Sequence, residues 1–332
     1  MMAALSLSNR IDNLTEAALW MKNLHSYNPH TRRTSLVGPT KVQIQTIDRC
    51  NASCIMCPYS SLAKTSSTNT MDDALYIKIL KDLRKVGTVR SVMLMLQNEP
   101  LLDAKLPDRI RLIKEILGRN VQTETVTNGA PLTQITIDRL SACGIDLVRV
   151  SIDAIREDTF DRIRRGLDYE RVVRNTLSLS KHLGPSRVHV KFLRQRDNAG
   201  EEQAFEQYWR HQGIKTIFTQ PTNRAGSLQS YERIKKPHPR LWKKMIYPVL
   251  NRCIHACPLP FSNMSILSDG RVVLCCNDWE PRDIVGDLSR QTVQEAWNGE
   301  KINHYRQMLW KHKTRDSLIC ADCSLSNHYW KI

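Results

Sequence analysis

Three cysteines, Cys50, Cys54 and Cys57, fall within eight residues in the run CNASCIMC. Thiolates at this spacing converge on a metal, and in a reducing compartment a chain with ten cysteines is better read as ligating metals than as disulfide-bonded. A structural zinc ion takes four ligands in a closed tetrahedron. Three thiolates fit a cubane [4Fe–4S] cluster that keeps one iron open, or a zinc ion completed by a distant residue. A second set lies in the tail: Cys253, Cys257, the adjacent pair Cys275 and Cys276, and Cys320-x2-Cys323. Asp269-Gly270 is a hairpin signal that would bring Cys257 beside the Cys275–Cys276 pair. Four thiolates there suit a closed electron-transfer cluster or a structural zinc site equally. Cys143, in Ser-Ala-Cys-Gly at a helix end, reads as buried packing.

These residues need elements to hold them. β-rich runs at 42–47, 91–96, 121–126, 146–152, 187–193 and 214–219 alternate with helical periodicity over 72–86, 106–117, 133–142, 169–183 and 201–211. Asp72 and Thr133 read as N-caps, and Gly144 and Gly184 follow helix ends. Such alternation implies an α/β fold with parallel strands and right-handed crossovers, as a doubly wound sheet or a full or partial barrel. The first cysteine triplet follows the first strand, at the end where barrels carry their chemistry. The alternation stops near Pro221, so a boundary is expected within 221–250.

The net charge is +16, with arginines dense at 156, 162, 164, 165, 171 and 174 and a second basic stretch from Lys235 to Arg252. That balance suits an anionic partner, and solvated helix faces would account for it as well. The N-terminal run reads as a short amphipathic helix without the basic-then-apolar order of a secretory signal. No apolar stretch approaches the roughly 18 residues that span a bilayer. A cytoplasmic location is expected, without a membrane partner.

The run VQIQTIDRCNASCIMCP resembles the signature of the radical S-adenosylmethionine (SAM) superfamily. Four further segments resemble that family's motifs in order: LMLQNEPLLD, TVTNGAPLT, VRVSIDAIREDTFDRIRRG and PTNRAG. The tail resembles the SPASM or shorter twitch extension of these enzymes. The resemblance implies a partial (β/α)6 barrel over 41–226, preceded by an N-terminal helical extension (1–40). A basic linker (227–252) and an auxiliary cluster domain (253–332) would follow it. It also implies a [4Fe–4S] cluster on Cys50, Cys54 and Cys57 that chelates SAM, and one auxiliary [4Fe–4S] cluster on Cys257, Cys275, Cys320 and Cys323.

Met56 would then lie by the adenine and Glu99 by the SAM amino group, with Asn98 beside it. Asn128, Ser151 and Asp153 would line the ribose and carboxylate, and Arg164 would meet the carboxylate. The motif Gln97-Asn98-Glu99-Pro100 lacks the family's usual glycines. Cys276 and Cys253 are candidate hydrogen-atom donors. The implied activity is a SAM-cleaving dehydrogenase or epimerase for a sugar-like or aminocyclitol-like small molecule, with a flavodoxin- or ferredoxin-type electron donor. A peptide-modifying enzyme and a nucleic-acid-modifying enzyme are the alternatives. Without an aromatic-rich RNA motif, a nucleic-acid partner is not expected.

Overall fold

The computed structural model describes residues 27–28, 33–34, 38–62, 70–236, 257–311 and 313–325. The expected N-terminal helix, most of the basic linker and Cys253 lie outside the described residues. Tyr27–Asn28 (β1) and Arg33–Thr34 (β2) form a separate antiparallel pair.

Six strands lie parallel and side by side in chain order. They are β3 (Lys41–Ile44), β4 (Ser91–Met93), β5 (Gln122–Thr127), β6 (Leu147–Ser151), β7 (Val188–Leu193) and β8 (Lys215–Thr219). Strand β7 shows how side chains divide between the two faces. Val188, Val190 and Phe192 are buried, and Phe192 meets Phe205 of helix Glu202–His211 with ring centroids 4.9 Å apart. His189, Lys191 and Leu193 point to the opposite, inner face.

Helices Leu106–Leu117 and Tyr169–Leu183 match the expected limits. Asp72 and Thr133 cap theirs by accepting from Leu75 N and Thr136 N. Helix Glu157–Ile163, hidden in the arginine-rich stretch, was not anticipated; its buried face is Thr159, Phe160 and Ile163.

Strands β3 and β4 end about three residues earlier than the hydrophobic runs suggest. Past their ends the backbone bonds elsewhere: Leu96 N donates to Asn98 Oδ1, and Glu99 N donates to Arg49 O. The β-like residues continue, but their hydrogen bonds build loops.

The tail shares the barrel's sheet. Strand β9 (Asn263–Ile266) pairs in parallel with the free edge of β3, and β10 (Arg271–Val273) and β11 (Ile284–Asp287) extend it antiparallel. The expected Asp269-Gly270 turn joins β9 to β10, with Gly270 at φ 89°. Covering β3 removes an open strand edge. The tail's Phe261, Trp297 and Leu309 belong to the same buried cluster as the barrel's Val42, Ile44 and Val92. The architecture is therefore a partial (β/α)6 barrel with a small cysteine-rich unit built onto its first strand. Among the described residues no helix is long and apolar enough to cross a membrane.

Candidate active site

Cys50, Cys54 and Cys57 sit on the loop after β3. Cys57 N donates to Cys54 O at 3.1 Å, which turns the two thiols to one side. The loop is fastened to the segment ending helix Glu157–Ile163: Ser53 N donates to Arg165 O at 2.9 Å and Ile55 N to Ile163 O at 3.1 Å. Met56 is buried with Ala52, Ile55, Ile163, Leu228 and Ile234, so its side chain also serves as packing. Burial, with the neighbouring thiols adding to it, pushes Cys50 up to about 12 and Cys57 up to about 11. A cationic centre among these thiols is what would hold all three as thiolates.

Arg164 reaches into this loop. Its guanidinium lies 3.7 Å from Cys54 Sγ and pairs with the fully buried Asp153, while its Nε is buried without a partner. Asp153 has a left-handed backbone, φ 68°. Its carboxylate receives Arg164 and Leu193 N (2.6 Å), so it is turned toward Arg164. Ser151 is buried at the end of β6.

Glu99 is 2% exposed and fully engaged. One carboxylate oxygen accepts from Thr127 Oγ1 (2.7 Å) and Leu101 N (3.1 Å), the other from Asn128 N (2.7 Å). Asn128 in turn donates to Asn51 Oδ1 at 2.8 Å, inside the cysteine loop. Glu99 thus ties the ends of β4 and β5 together, and Asn128 ties them to the thiols. Burial pushes Glu99 up to about 7, against the pull of the donors around it. Asn98 keeps Nδ2 buried and unpartnered.

In the tail, Cys257, Cys275, Cys320 and Cys323 line one pocket with Leu274 and Ile319. Cys323 N donates to Cys320 O at 3.3 Å, repeating the turn of the first Cys-x2-Cys. Cys276 is not among the lining residues and instead packs with Leu96, Leu267 and Val273. Among the described residues no three cysteine, histidine or carboxylate side chains are grouped as a site for a single metal ion.

Barrel and tail are bolted together beside both sets of thiols. Asn223 N donates to Ser324 Oγ (3.0 Å) and Ser324 N returns a bond to Asn223 Oδ1 (2.8 Å). Thr222 Oγ1 donates to Asn277 Oδ1 at 3.1 Å. Gln97 Nε2 donates to Asp278 O at 2.7 Å, so the residue that departs from the glycine motif reaches the tail.

The donor sets fit the implied cofactors. Three thiols leave one corner of a cubane free, four thiols around a pocket fill every corner, and the orphaned Asn98 Nδ2 and Arg164 Nε lie on the motif segments that would surround SAM. Sequence reasoning missed Gln97 as a tether, and it missed Gln195, Lys191 and Arg224. Gln195 is fully buried with its side-chain amide unpartnered, and no motif marks it. An alternation count along 188–193 would have turned Lys191 inward.

Residues 44–193 match the radical SAM superfamily, and residues 257–324 match the iron–sulfur cluster-binding domain called SPASM. The chain is 22% identical over 287 residues to the S-adenosyl-L-methionine-dependent 2-deoxy-scyllo-inosamine dehydrogenase of Niallia circulans, a match covering 85% of this chain and 92% of that one. It is 21% identical over 306 residues to a GTP 3′,8-cyclase of Lactiplantibacillus plantarum, covering 80% and 90%. The crystal structure of BtrN in complex with AdoMet and 2-DOIA aligns with TM-score 0.59 and 19% identity over 86% of this chain and 92% of that one. That of anSMEcpe with bound AdoMet aligns with TM-score 0.60 and 16% identity over 85% and 88%. The chain therefore carries a radical SAM domain and, on the edge of the barrel sheet, a SPASM iron–sulfur cluster-binding domain.

Proposed function

We propose that the protein is a radical SAM oxidoreductase that dehydrogenates a carbon of a small molecule bearing an anionic group. The observation that carries this reading is the pairing of three thiols at the barrel mouth with four around a separate pocket, held in one sheet. When bound, the cofactors supply a 5′-deoxyadenosyl radical from SAM at the first cluster and a sink for one electron at the second.

The chain's residues do the rest. Cys50, Cys54 and Cys57 would hold the first cluster, and Cys257, Cys275, Cys320 and Cys323 the second. Arg164, fixed by Asp153, offers Nε to the SAM carboxylate. Glu99 orients Asn128 and Thr127, and Asn98 and Ser151 border the same space. Met56 and its apolar neighbours exclude water from it. An external flavodoxin- or ferredoxin-type donor delivers the electron. Cysteines gathered into a set of three and a set of four, as metal ligands would be, support a reducing, cytoplasmic setting.

A small molecule is favoured over a peptide or RNA because a relative matched over 92% of its length is named for 2-deoxy-scyllo-inosamine. The anionic group is supported by the +16 charge and by the relative named for GTP. One observation favours epimerisation as a second reading: Cys276 stands outside the four-thiol pocket, available to return a hydrogen atom.

One experiment separates the readings. The reduced, reconstituted protein is given SAM in D2O with 2-deoxy-scyllo-inosamine, GTP and related sugar phosphates in turn. Dehydrogenation gives a product lighter by about two mass units, unaffected in kind by Cys276→Ala. Epimerisation gives a product with one deuterium and no net oxidation, and Cys276→Ala abolishes it. SAM-dependent change only in an added peptide or tRNA would overturn the small-molecule reading.

A further inference from the structure

Lys191 is a misfit in the barrel. It lies on the inner face of β7, where it is the direct ladder partner of Ser151. Among the described residues its ammonium has no hydrogen-bond or ion-pair partner. The charged groups that face it are Asp153, Arg149, Arg164 and Arg224. The one carboxylate is already committed to Arg164 and Leu193 N. Arg149 is itself paired with Glu124 across β5 and β6.

Arg224 approaches from the turn after β8. Arg224 and Ala225 have φ of 51° and 53°, two successive non-glycine residues in the left-handed region. Such residues persist only where their surroundings hold them in place. The turn is over-determined by the Asn223–Ser324 bonds and by Arg282, which donates to Ala225 O. This strain fixes one guanidinium. Its carbon sits 5.8 Å from the Trp279 ring centroid, Nη1 is 3.5 Å from Asn277 Oδ1, and Nε is buried with no partner. The positive charge of Arg224 reaches both Cys57 and Cys276, and that of Lys191 reaches Cys276. The two cations therefore stand between the cysteine loop and the tail.

Lys191 and Arg224 are both half-buried, and the one carboxylate facing Lys191 is already engaged by Arg164, so the pair is unfavourable unless an anionic ligand compensates it. We propose that Lys191 and Arg224 form an anion subsite that takes a phosphate or carboxylate of the substrate and so sets the reacting carbon between the Cys50–Cys57 loop and Cys276. The assignment rests on the radical SAM reading for the reaction it serves, but the binding itself is testable apart from it. Burial, reinforced by Arg149, Arg164 and Arg224 and opposed by Asp153, pushes Lys191 down to about 8. Lys191 carries its charge below that pH and loses it above, so anion affinity falls as pH rises from 7 to 9.

The test is calorimetric titration of inorganic pyrophosphate into anaerobic reconstituted holoenzyme already saturated with SAM. Wild type is expected to bind, more weakly at pH 9 than at pH 7. Lys191→Met and Arg224→Met are each expected to lose roughly tenfold or more, the worth of a charge-assisted bond. Lys191→Arg restores most of the binding and so rules out misfolding. No binding by wild type overturns the proposal. Competition between pyrophosphate and SAM, with Lys191→Met weakening both equally, also overturns it, because the cations then serve the SAM carboxylate. Formation of 5′-deoxyadenosine by the same preparation reports on the radical SAM reading separately.

Discussion

Changing Cys50, Cys54 and Cys57 together to alanine is expected to halve the iron. Anaerobically reconstituted wild type should hold about eight irons and eight sulfides, and the variant about four of each. The expectation follows from the separation of the two thiol sets. The first three cysteines lie on a loop tied to Arg165 and Ile163, and the other four line a pocket walled by tail residues. The variant should stay folded, because the loop packs in a small apolar cluster of its own whereas Cys320 and Cys323 belong to the main core. Alanine at the four tail cysteines should be worse for stability, since cluster binding there is part of the folding free energy. Four irons falling to none, with zinc retained, would make the tail a zinc site and remove the electron sink from the proposal.

Arg164→Met is expected to destabilise the fold by about 3–5 kcal/mol, because it leaves a buried carboxylate unpaired. Asp153 is 0% exposed and has only Leu193 N as a remaining side-chain donor. The double variant Asp153→Asn, Arg164→Met should regain most of the stability, since neither charge is then stranded. SAM affinity should not return with it, because the unpartnered Nε is gone in both. Denaturant melts and SAM titrations of the two variants check the pair. A single variant as stable as wild type, or a double variant that binds SAM normally, would show that Arg164 is neither paired nor positioned as described.

Much of the barrel was legible because its signals are local. Helix limits at 106–117 and 169–183 follow from apolar spacing, and Asp72 and Thr133 announce their helices as caps. The cysteine spacing is likewise local, and the loop after β3 lies where a strand-end rule puts it. What the sequence withheld is non-local. Nothing in Asn263–Ile266 says that it will pair with β3, more than 200 positions earlier, instead of heading a detached domain. Gln97 looks like a flawed glycine until Asp278 is seen to accept from it. Asp153 reads as a ligand-facing carboxylate because its partners, Arg164 and Leu193, meet it only in three dimensions. The early ends of β3 and β4 have the same origin: β propensity continues, but the backbone beyond them is bonded to Met71, Asn98 and Arg49.

The most direct test of the central claim is the fate of SAM on the dithionite-reduced, iron-loaded protein under strict anaerobiosis. Chromatography should show 5′-deoxyadenosine and methionine from wild type, and neither above background from the variant lacking Cys50, Cys54 and Cys57. Intact SAM beside a wild-type protein that is fully loaded and fully reduced would contradict the account.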